Sequence, residues 1–415
     1  MRLIARRDGP LRGEANIPGD KSCSHRALII GALGSGTTCI DGLLESDDVL
    51  ATSRAVAALG ATVGRVGPGE WQVTGAPWTC PAEPIDCGNS GTAARLLLGA
   101  CAGVAGLSVT LTGDASLSKR PMRRVTAPLE RMGARFQGSD VLPITVHGGP
   151  LGAIEFVNVP ASAQVKSALL LAGVTSGAAV RVEEPVPSRD HSEIMLAQFG
   201  SPLTGCDITI ASDPSSAAFP LVAAAIVAGS EVTVRWLLVN PLRTGLYEVL
   251  EEMGADVSLA NEHLQSGEIV ADVTLRHAPL APCHVTADRI AAMIDEIPAL
   301  AVACAFADGE SVIEGLAELR VKESDRLGAM VAGLVACGVA AIADGDALRI
   351  FGRGSVRGGG RVVTHGDHRI AMAFLTLGLA SDQPVEVDEA EMIATSFPGF
   401  VAVMQGLGAS IGEAA

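Results

Sequence analysis

Only four lysines occur in this chain, and each stands among neighbours suited to holding an anion. They are Lys21 in Pro18-Gly19-Asp20-Lys21-Ser22, Lys119 in Ser118-Lys119-Arg120-Pro121, Lys166 in Gln164-Val165-Lys166-Ser167, and Lys322 in Val321-Lys322-Glu323-Ser324-Asp325-Arg326. The formal net charge is -16, so concentrated cationic spots point to an anionic small-molecule ligand. Gly19-Asp20-Lys21-Ser22-Cys23-Ser24-His25-Arg26 precedes a helical run. Free N–H groups and positive potential there let Lys21, Ser22 and Arg26 grip a phosphate or carboxylate, or simply start a capped helix. The GxxxxGK(S/T) spacing of a Walker loop is absent.

Gly88-Asn89-Ser90-Gly91-Thr92 opens a second small-residue helix, with glycines that let backbone N–H groups approach a ligand. Lys119, Arg120, Arg123 and Arg124 put four cations in six residues, as a binding strip or a solvated loop. Ser162-Ala163-Gln164-Val165-Lys166-Ser167 gathers hydroxyl, amide and ammonium groups suited to a hydroxylated phosphate ester, with Arg189-Asp190-His191 following. Asp295-Glu296 and Lys322-Glu323 set carboxylates beside cations, as proton transfer requires; a salt-bridged helix face is the other reading. In His365-Gly366-Asp367-His368-Arg369 the histidines lack a helical ligand spacing and have no cysteine nearby, so no metal is expected.

At 415 residues the chain calls for two domains. Aromatics make up 3%, with Tyr247 the single tyrosine, and acids outnumber bases, which excludes base-stacking platforms and nucleic-acid backbone binding. Residues 1–10 carry no apolar segment of a secretory signal, and apolar runs such as 217–229 are too short to span a bilayer, so no membrane role is expected. Nine cysteines without a CxxC pair read as small core residues in a reducing cytosol, Cys23, Cys101, Cys304 and Cys337 among them.

The elements that must position these residues repeat. A small-residue helix, a glycine and a β-branched strand recur six times, beginning near residues 22, 91, 163, 215, 297 and 369. A second, amphipathic helix follows each, stopping at Leu59-Gly60-Ala61, Met132-Gly133-Ala134, Phe199-Gly200-Ser201, Met253-Gly254-Ala255, Cys337-Gly338-Val339 and Leu407-Gly408-Ala409. Short alternating stretches then read as strands, giving six β-α-β-α-β-β modules in two α/β domains of three, with alanine-rich helices inside and sheets outside. Most modules start roughly seventy to eighty residues apart, but the third and fourth only about fifty. Residues 201–211 must replace two strands and their turns, so the outer sheet of the third module is expected to be trimmed.

Together these segments closely resemble the 5-enolpyruvylshikimate-3-phosphate synthase family. PGDKSCSHRAL, GNSGTA, SLSKRPM, SAQVKSALLLAG, SRDHSE, DPSSAAFPL, NPLRTG, MIDEIP, LRVKESDRL, DHRIAM and IATSFPGF occur in the family's order from end to end. SAQVKSA and RDHSE are similar to the bacterial class II form. The resemblance implies a two-domain inverse αβ-barrel, 20–211 and 212–415 plus 1–19, with the active site in the interdomain cleft. It implies transfer of the enolpyruvyl group of phosphoenolpyruvate to the 5-hydroxyl of shikimate 3-phosphate, through a tetrahedral ketal and loss of phosphate, without metal or organic cofactor.

By the same resemblance Lys21, Ser22, Arg26, Ser162, Ala163, Gln164 and Arg189 hold shikimate 3-phosphate, with Asp295 and Lys322. Lys21, Gly91, Arg120, Gln164, Arg326 and Arg369 face phosphoenolpyruvate. Asp295 acts as base on the 5-hydroxyl, and Glu323 and Lys21 move protons at the methylene carbon. The substrates bring about five to six negative charges, which accounts for the arginines. Thr395 stands where many relatives carry a lysine, so one phosphate contact must come from elsewhere. Gly91 leaves room for a bulkier phosphoenolpyruvate mimic, so glyphosate is expected to compete. The resemblance implies a monomer with no partner protein. The UDP-N-acetylglucosamine enolpyruvyl transferases share the repeat, but their lysine-asparagine start and reactive loop cysteine are missing here. A catalytically silent binder with a shortened module is the rival of another class.

Overall fold

The alanine-rich runs become helices without a solvent face. In the computed structural model, which describes residues 1–159 and 161–414, Pro214–Ile226 is buried at every position and Ile297–Phe306 at all but its last. A helix apolar all round must lie inside its layer. Small side chains set how closely such helices meet. A methyl added at Gly99 would stand 2.1 Å from the carbonyl oxygen of Ala168, so Gly91–Ala102 and Ala163–Ser176 pack backbone to backbone.

The first helices of the six repeats are Lys21–Leu33, Gly91–Ala102, Ala163–Ser176, Pro214–Ile226, Ile297–Phe306 and His368–Gly378; all are largely buried except Ala163–Ser176, which buries 7 of its 14 residues. Each runs into an outer strand and then a second helix. Those second helices close on glycines at positive φ, from 76° at Gly200 to 116° at Gly60, a conformation that a Cβ disfavours.

Among the described residues the strands form five four-stranded sheets and one two-stranded sheet. The sheet ordered Ile85–Asp86, Ser108–Thr112, Ile144–His147, Arg135–Gly138 shows the pattern. Its first pair is parallel, with Ile85 opposite Leu111, and its second antiparallel, with Val109 opposite Val146. The N-terminal strands complete late sheets: Leu3–Arg6 lies between Val385–Val387 and Ser410–Glu413, and Arg12–Ala15 runs parallel to Glu231–Leu238. In the third repeat Ile154–Val157 and Val180–Glu183 pair in parallel, and among the described residues no hairpin follows. After Gly200 the chain goes directly to Asp207–Thr209, which joins the first repeat's sheet beside Thr37–Asp41. The short interval in the sequence is therefore a missing outer hairpin.

The chain divides into two units. The first is Gly19–Ile210 with Gln265–Glu268; the second is Met1–Pro18, Ala211–Leu264 and Ile269–Ala415. This differs from a plain cut into 20–211 and the rest by one residue at each crossing and by the turn at 265–268. That turn belongs to the first unit because Ser266 Oγ accepts from Thr209 N at 2.9 Å and Glu268 Oε1 meets His191 Nδ1 at 2.7 Å. Among the described residues no helix is long and apolar enough to cross a membrane.

Candidate active site

Three helix starts carry the candidate residues of the first unit. Asp20 caps Lys21–Leu33 by accepting from Cys23 N at 2.7 Å, and Ser90 caps Gly91–Ala102 through Ala93 N at 3.1 Å. Ser162 precedes Ala163–Ser176 without spending its hydroxyl on the cap. Each start directs N–H groups and positive potential outward, which favours anions.

Lys21 Nζ lies 2.5 Å from Asp48 Oδ2, a carboxylate that the sequence motifs did not single out. Arg26 is 2% exposed and gives Nε to Ser192 Oγ (2.7 Å), Nη1 to Ser22 O (2.9 Å) and Nη2 to Ser167 Oγ (2.7 Å). Three of its five N–H donors thus tie Ser22 of its own helix to Ser167 of the helix that Ala163 begins and to Ser192 of His191–Phe199. Gln164 Nε2 donates to Thr92 Oγ1 at 3.0 Å, and its Oε1 accepts from Arg95 Nη1 at 2.6 Å. Arg120 bonds Asn89 O (3.1 Å) and Asn89 Oδ1 (2.6 Å). A Cβ at Gly91 would stand 3.0 Å from Arg95 Nη1 and 3.5 Å from Arg120 Nη1, so the bare glycine faces two guanidinium groups. Arg189 is half-buried just ahead of His191–Phe199.

Lys166 corrects the sequence reading. Its ammonium meets Glu184 (2.8 Å), Glu193 (2.9 Å) and Ser188 O (3.2 Å), which uses all three donors, so it braces the fold and keeps none for a ligand. Burial opposes Glu184's charge, but Lys166 and Ser188 together hold its carboxyl below the usual range. Arg95 and His25 were missed. A lone arginine in an apolar helix was the only signal for Arg95. His25 is buried, with Nδ1 2.7 Å from Thr52 Oγ1 and Nε2 3.3 Å from Ser90 Oγ, so it ties the first helix to the cap at Gly91. Burial first, then Lys21 and Arg26, hold its imidazole well below 6.5.

The second unit holds an acid–cation cluster. Asp295 Oδ1 accepts from Lys322 Nζ at 3.1 Å and from Arg326 Nη1 at 3.4 Å. Arg326 also bonds Glu323 through Nη2 and Asp367 Oδ2 through Nε at 2.8 Å. Burial works against the Arg326 charge, but Asp367, Glu323 and Asp295 outweigh it and push its pKa up. Arg369 Nη1 donates to the main-chain oxygen of Asp295 at 2.8 Å. Asp295, Lys322, Glu323, Arg326 and Arg369 are therefore one cluster.

Glu296 does not join it. It is 1% exposed, accepts from the Ser215 hydroxyl and lies 3.9 Å from Arg243, which also reaches Asp213 at 3.4 Å. The two adjacent acids thus divide, one to the cluster and one to the core. His368 meets Thr395 Oγ1 at 3.4 Å, while His365 is exposed at φ 54°, so these two histidines face different surroundings. Among the described residues, Asp20, Cys23 and His191 bring potential ligand atoms within 4.8 Å of one another. Asp20 Oδ1 is spent on Cys23 N, His191 Nδ1 on Glu268, and burial pushes the Cys23 thiol well up, so the trio reads as hydrogen-bonded core.

The sequence profile of EPSP synthase (3-phosphoshikimate 1-carboxyvinyltransferase) matches residues 5–404. A 3-phosphoshikimate 1-carboxyvinyltransferase of Phenylobacterium zucineum is 52% identical, covering 99% of this chain and 95% of the relative. One of Caulobacter vibrioides is 50% identical, covering 98% of each. The Phenylobacterium alignment spans 432 positions against 415 residues here, so that relative carries residues this chain lacks. An EPSP synthase structure from Acinetobacter baumannii superposes with a TM-score of 0.85 at 38% identity, covering 99% of both chains. The enolpyruvyl transferase NikO from Streptomyces tendae, 17% identical with a TM-score of 0.77, shares the fold.

Proposed function

The chain belongs to the EPSP synthase family, and from that premise we propose how its two clusters move the enolpyruvyl group of phosphoenolpyruvate onto the 5-hydroxyl of shikimate 3-phosphate. The reaction belongs to the shikimate pathway to the aromatic amino acids. Lys21, Ser22, Ser162, the backbone of Ala163, Gln164 and Arg189 take the phosphate and hydroxyls of shikimate 3-phosphate. Arg26 holds Ser22 in place and offers its remaining donors. Gly91, Arg120, Gln164 and Lys21, with Arg326 and Arg369, take the carboxylate and phosphate of phosphoenolpyruvate. Planar guanidinium groups suit both anions because they bond in two-point fashion.

The cluster at Asp295 does the proton chemistry. Asp295 removes the proton of the 5-hydroxyl as its oxygen bonds to C2 of phosphoenolpyruvate, while Glu323 or Lys21 gives a proton to C3. The methylene becomes a methyl group in a tetrahedral ketal. Removal of a proton from that methyl re-forms the double bond as the C2–O bond breaks and phosphate leaves. Lys322 and Arg326 share one oxygen of Asp295, which fixes the carboxylate's orientation for the 5-hydroxyl. The Lys322–Asp295–Arg326–Glu323 arrangement is the observation that carries this reading.

The free cysteines, with no disulfide among the described residues, favour a reducing, cytoplasmic setting. The test is phosphate release with both substrates, each omitted in turn. Release that requires both is expected. Folded protein that binds shikimate 3-phosphate but releases no phosphate would replace this reading with the silent binder, for which the missing hairpin is the specific observation.

A further inference from the structure

Cys304 has the size of a core residue, but its neighbour is a second thiol. Its Sγ lies 3.6 Å from that of Cys283, 21 residues earlier and in the same unit. Cys304 is fully enclosed in Ile297–Phe306, whereas Cys283 is half-buried just ahead of the outer strand His284–Val285. Small reagents can thus reach the pair from the Cys283 side.

The main chain is fixed on both sides of this contact. Cys283 N donates to Ser311 Oγ at 3.2 Å, and Val312 N donates to Cys283 O at 2.9 Å. On the other side a Cβ at Gly352 would stand 2.6 Å from Cys304 O, so the strand Ala347–Arg353 backs the helix there. A disulfide needs its sulfurs about 2.0 Å apart, which leaves about 1.5 Å for side-chain torsion to close. The two thiols are also unequal. Cys304, and after it Ser311, hold the Cys283 thiol below its ordinary 9.0 although burial opposes this, while Cys283 and burial push the Cys304 thiol well up. The thiolate is the nucleophile, so Cys283 is the sulfur that attacks and Cys304 the one that resolves.

We propose that Cys283 and Cys304 form a reversible disulfide site, oxidised by hydrogen peroxide and returned to thiols by a reducing dithiol. The Cys283 sulfur attacks one peroxide oxygen. An S–O bond forms, the O–O bond breaks, and the departing oxygen takes the thiol proton and leaves as water. Cys304 then attacks the sulfenic sulfur. The S–S bond forms as the S–O bond breaks, and hydroxide leaves with the Cys304 proton as a second water. Two electrons pass from the sulfurs to peroxide. Cys39 and Cys80 are more exposed, but they contact Gln72 and Gly106 rather than another thiol, so they have no such resolving partner. The bond closes the segment that holds Ala287–Ala292 and Asp295, and so pins the chain on which the proposed base sits. The thiol chemistry itself does not depend on the role proposed for Asp295.

The test is peptide mapping by mass spectrometry, without reductant, of the folded full-length protein after a small excess of hydrogen peroxide. A linked Cys283–Cys304 peptide is expected, about 2 Da lighter than its two free-thiol halves together and released by dithiothreitol. Closing a loop of this length should raise the melting temperature, followed by circular dichroism, by about 4 °C or more. Cys304→Ala should leave Cys283 as a sulfenic acid that dimedone labels. Neither Cys304→Ala nor Cys283→Ser should melt higher after oxidation. The spectra of the reduced variants check that they are folded, and if one is not, the other decides. No linked peptide from folded protein, or linkage only after unfolding in urea, overturns the proposal. So does a linked protein that melts no higher, or oxidation that carries Cys283 to sulfinic acid while Cys304 stays reduced. These readouts need no substrate, so their failure is distinct from a failure to release phosphate.

Discussion

Asp295 and Lys21 are each bound to an oppositely charged side chain before any substrate arrives, and their substitutions separate chemistry from folding in different ways. Asp295→Asn keeps shape and hydrogen bonds but gives up the base, so kcat should fall about 10²–10⁴-fold with an unchanged circular dichroism spectrum. Near-normal turnover would remove Asp295 from the mechanism. Lys21→Ala has a second effect, because it leaves the Asp48 carboxylate, 5% exposed, without its cation. Stability should drop by about 1–3 kcal/mol together with turnover. Lys21→Ala/Asp48→Asn should recover the stability in denaturant unfolding and none of the turnover. Recovery of both would make Lys21 a structural residue only.

At the scale of elements, close helix contact is what the small residues secure. Gly99 sits where any Cβ would press on Ala168 O at 2.1 Å, and that oxygen belongs to the helix whose first turn carries Ala163 and Gln164. Gly99→Val should cost about 1–3 kcal/mol or more and raise KM for both substrates, since Gln164 bridges to Thr92 and Arg95 on the helix that would be displaced. Wild-type KM with lowered stability would show that the pair shifts without moving the site. The same scale explains what the residue patterns misread. Lys166 and Glu296 had the right types in promising segments, yet Glu184 and Glu193 claim the first and Ser215 and Arg243 the second. Neighbours in sequence do not reveal the partners that another helix supplies.

For the whole molecule, acid should be destabilising in two stages. His25 has a folded pKa well below its ordinary 6.5, because burial and the Lys21 and Arg26 charges disfavour its protonation. An unfolded chain therefore takes up a proton that the folded one refuses. The stabilisation is complete above pH 6.5 and is lost as pH falls below it, at about 1.4 kcal/mol per pH unit. Glu184 and Glu45 also have depressed folded values against an ordinary 4.5, so their contributions persist above 4.5 and are lost below it. Urea unfolding from pH 8 to 4 should show the one-proton slope begin near 6.5, and His25→Gln should remove it while the drop below 4.5 remains. A wild type flat between pH 6.5 and 5 would mean that His25 titrates normally.

The sequence by itself determined the repeat, the buried helices, the glycine stops and the absent hairpin. Those depend on periodicity, chain length and the positive φ that glycine accepts, all local properties. It also placed the cations at the helix starts, because a cap motif such as Asp20-Lys21-Ser22 is read within a single turn. Tertiary structure decided which charges are spent. Arg26 lies across three helices, Lys166 between two glutamates, and Arg95 against Gln164 from another repeat. It also decided that the turn at 265–268 belongs to the first unit and that Val180–Glu183 keeps an open edge. Charge pairing and strand pairing depend on distance in space, and a Coulomb or hydrogen-bond partner 69 or 77 residues away leaves no local mark on the chain.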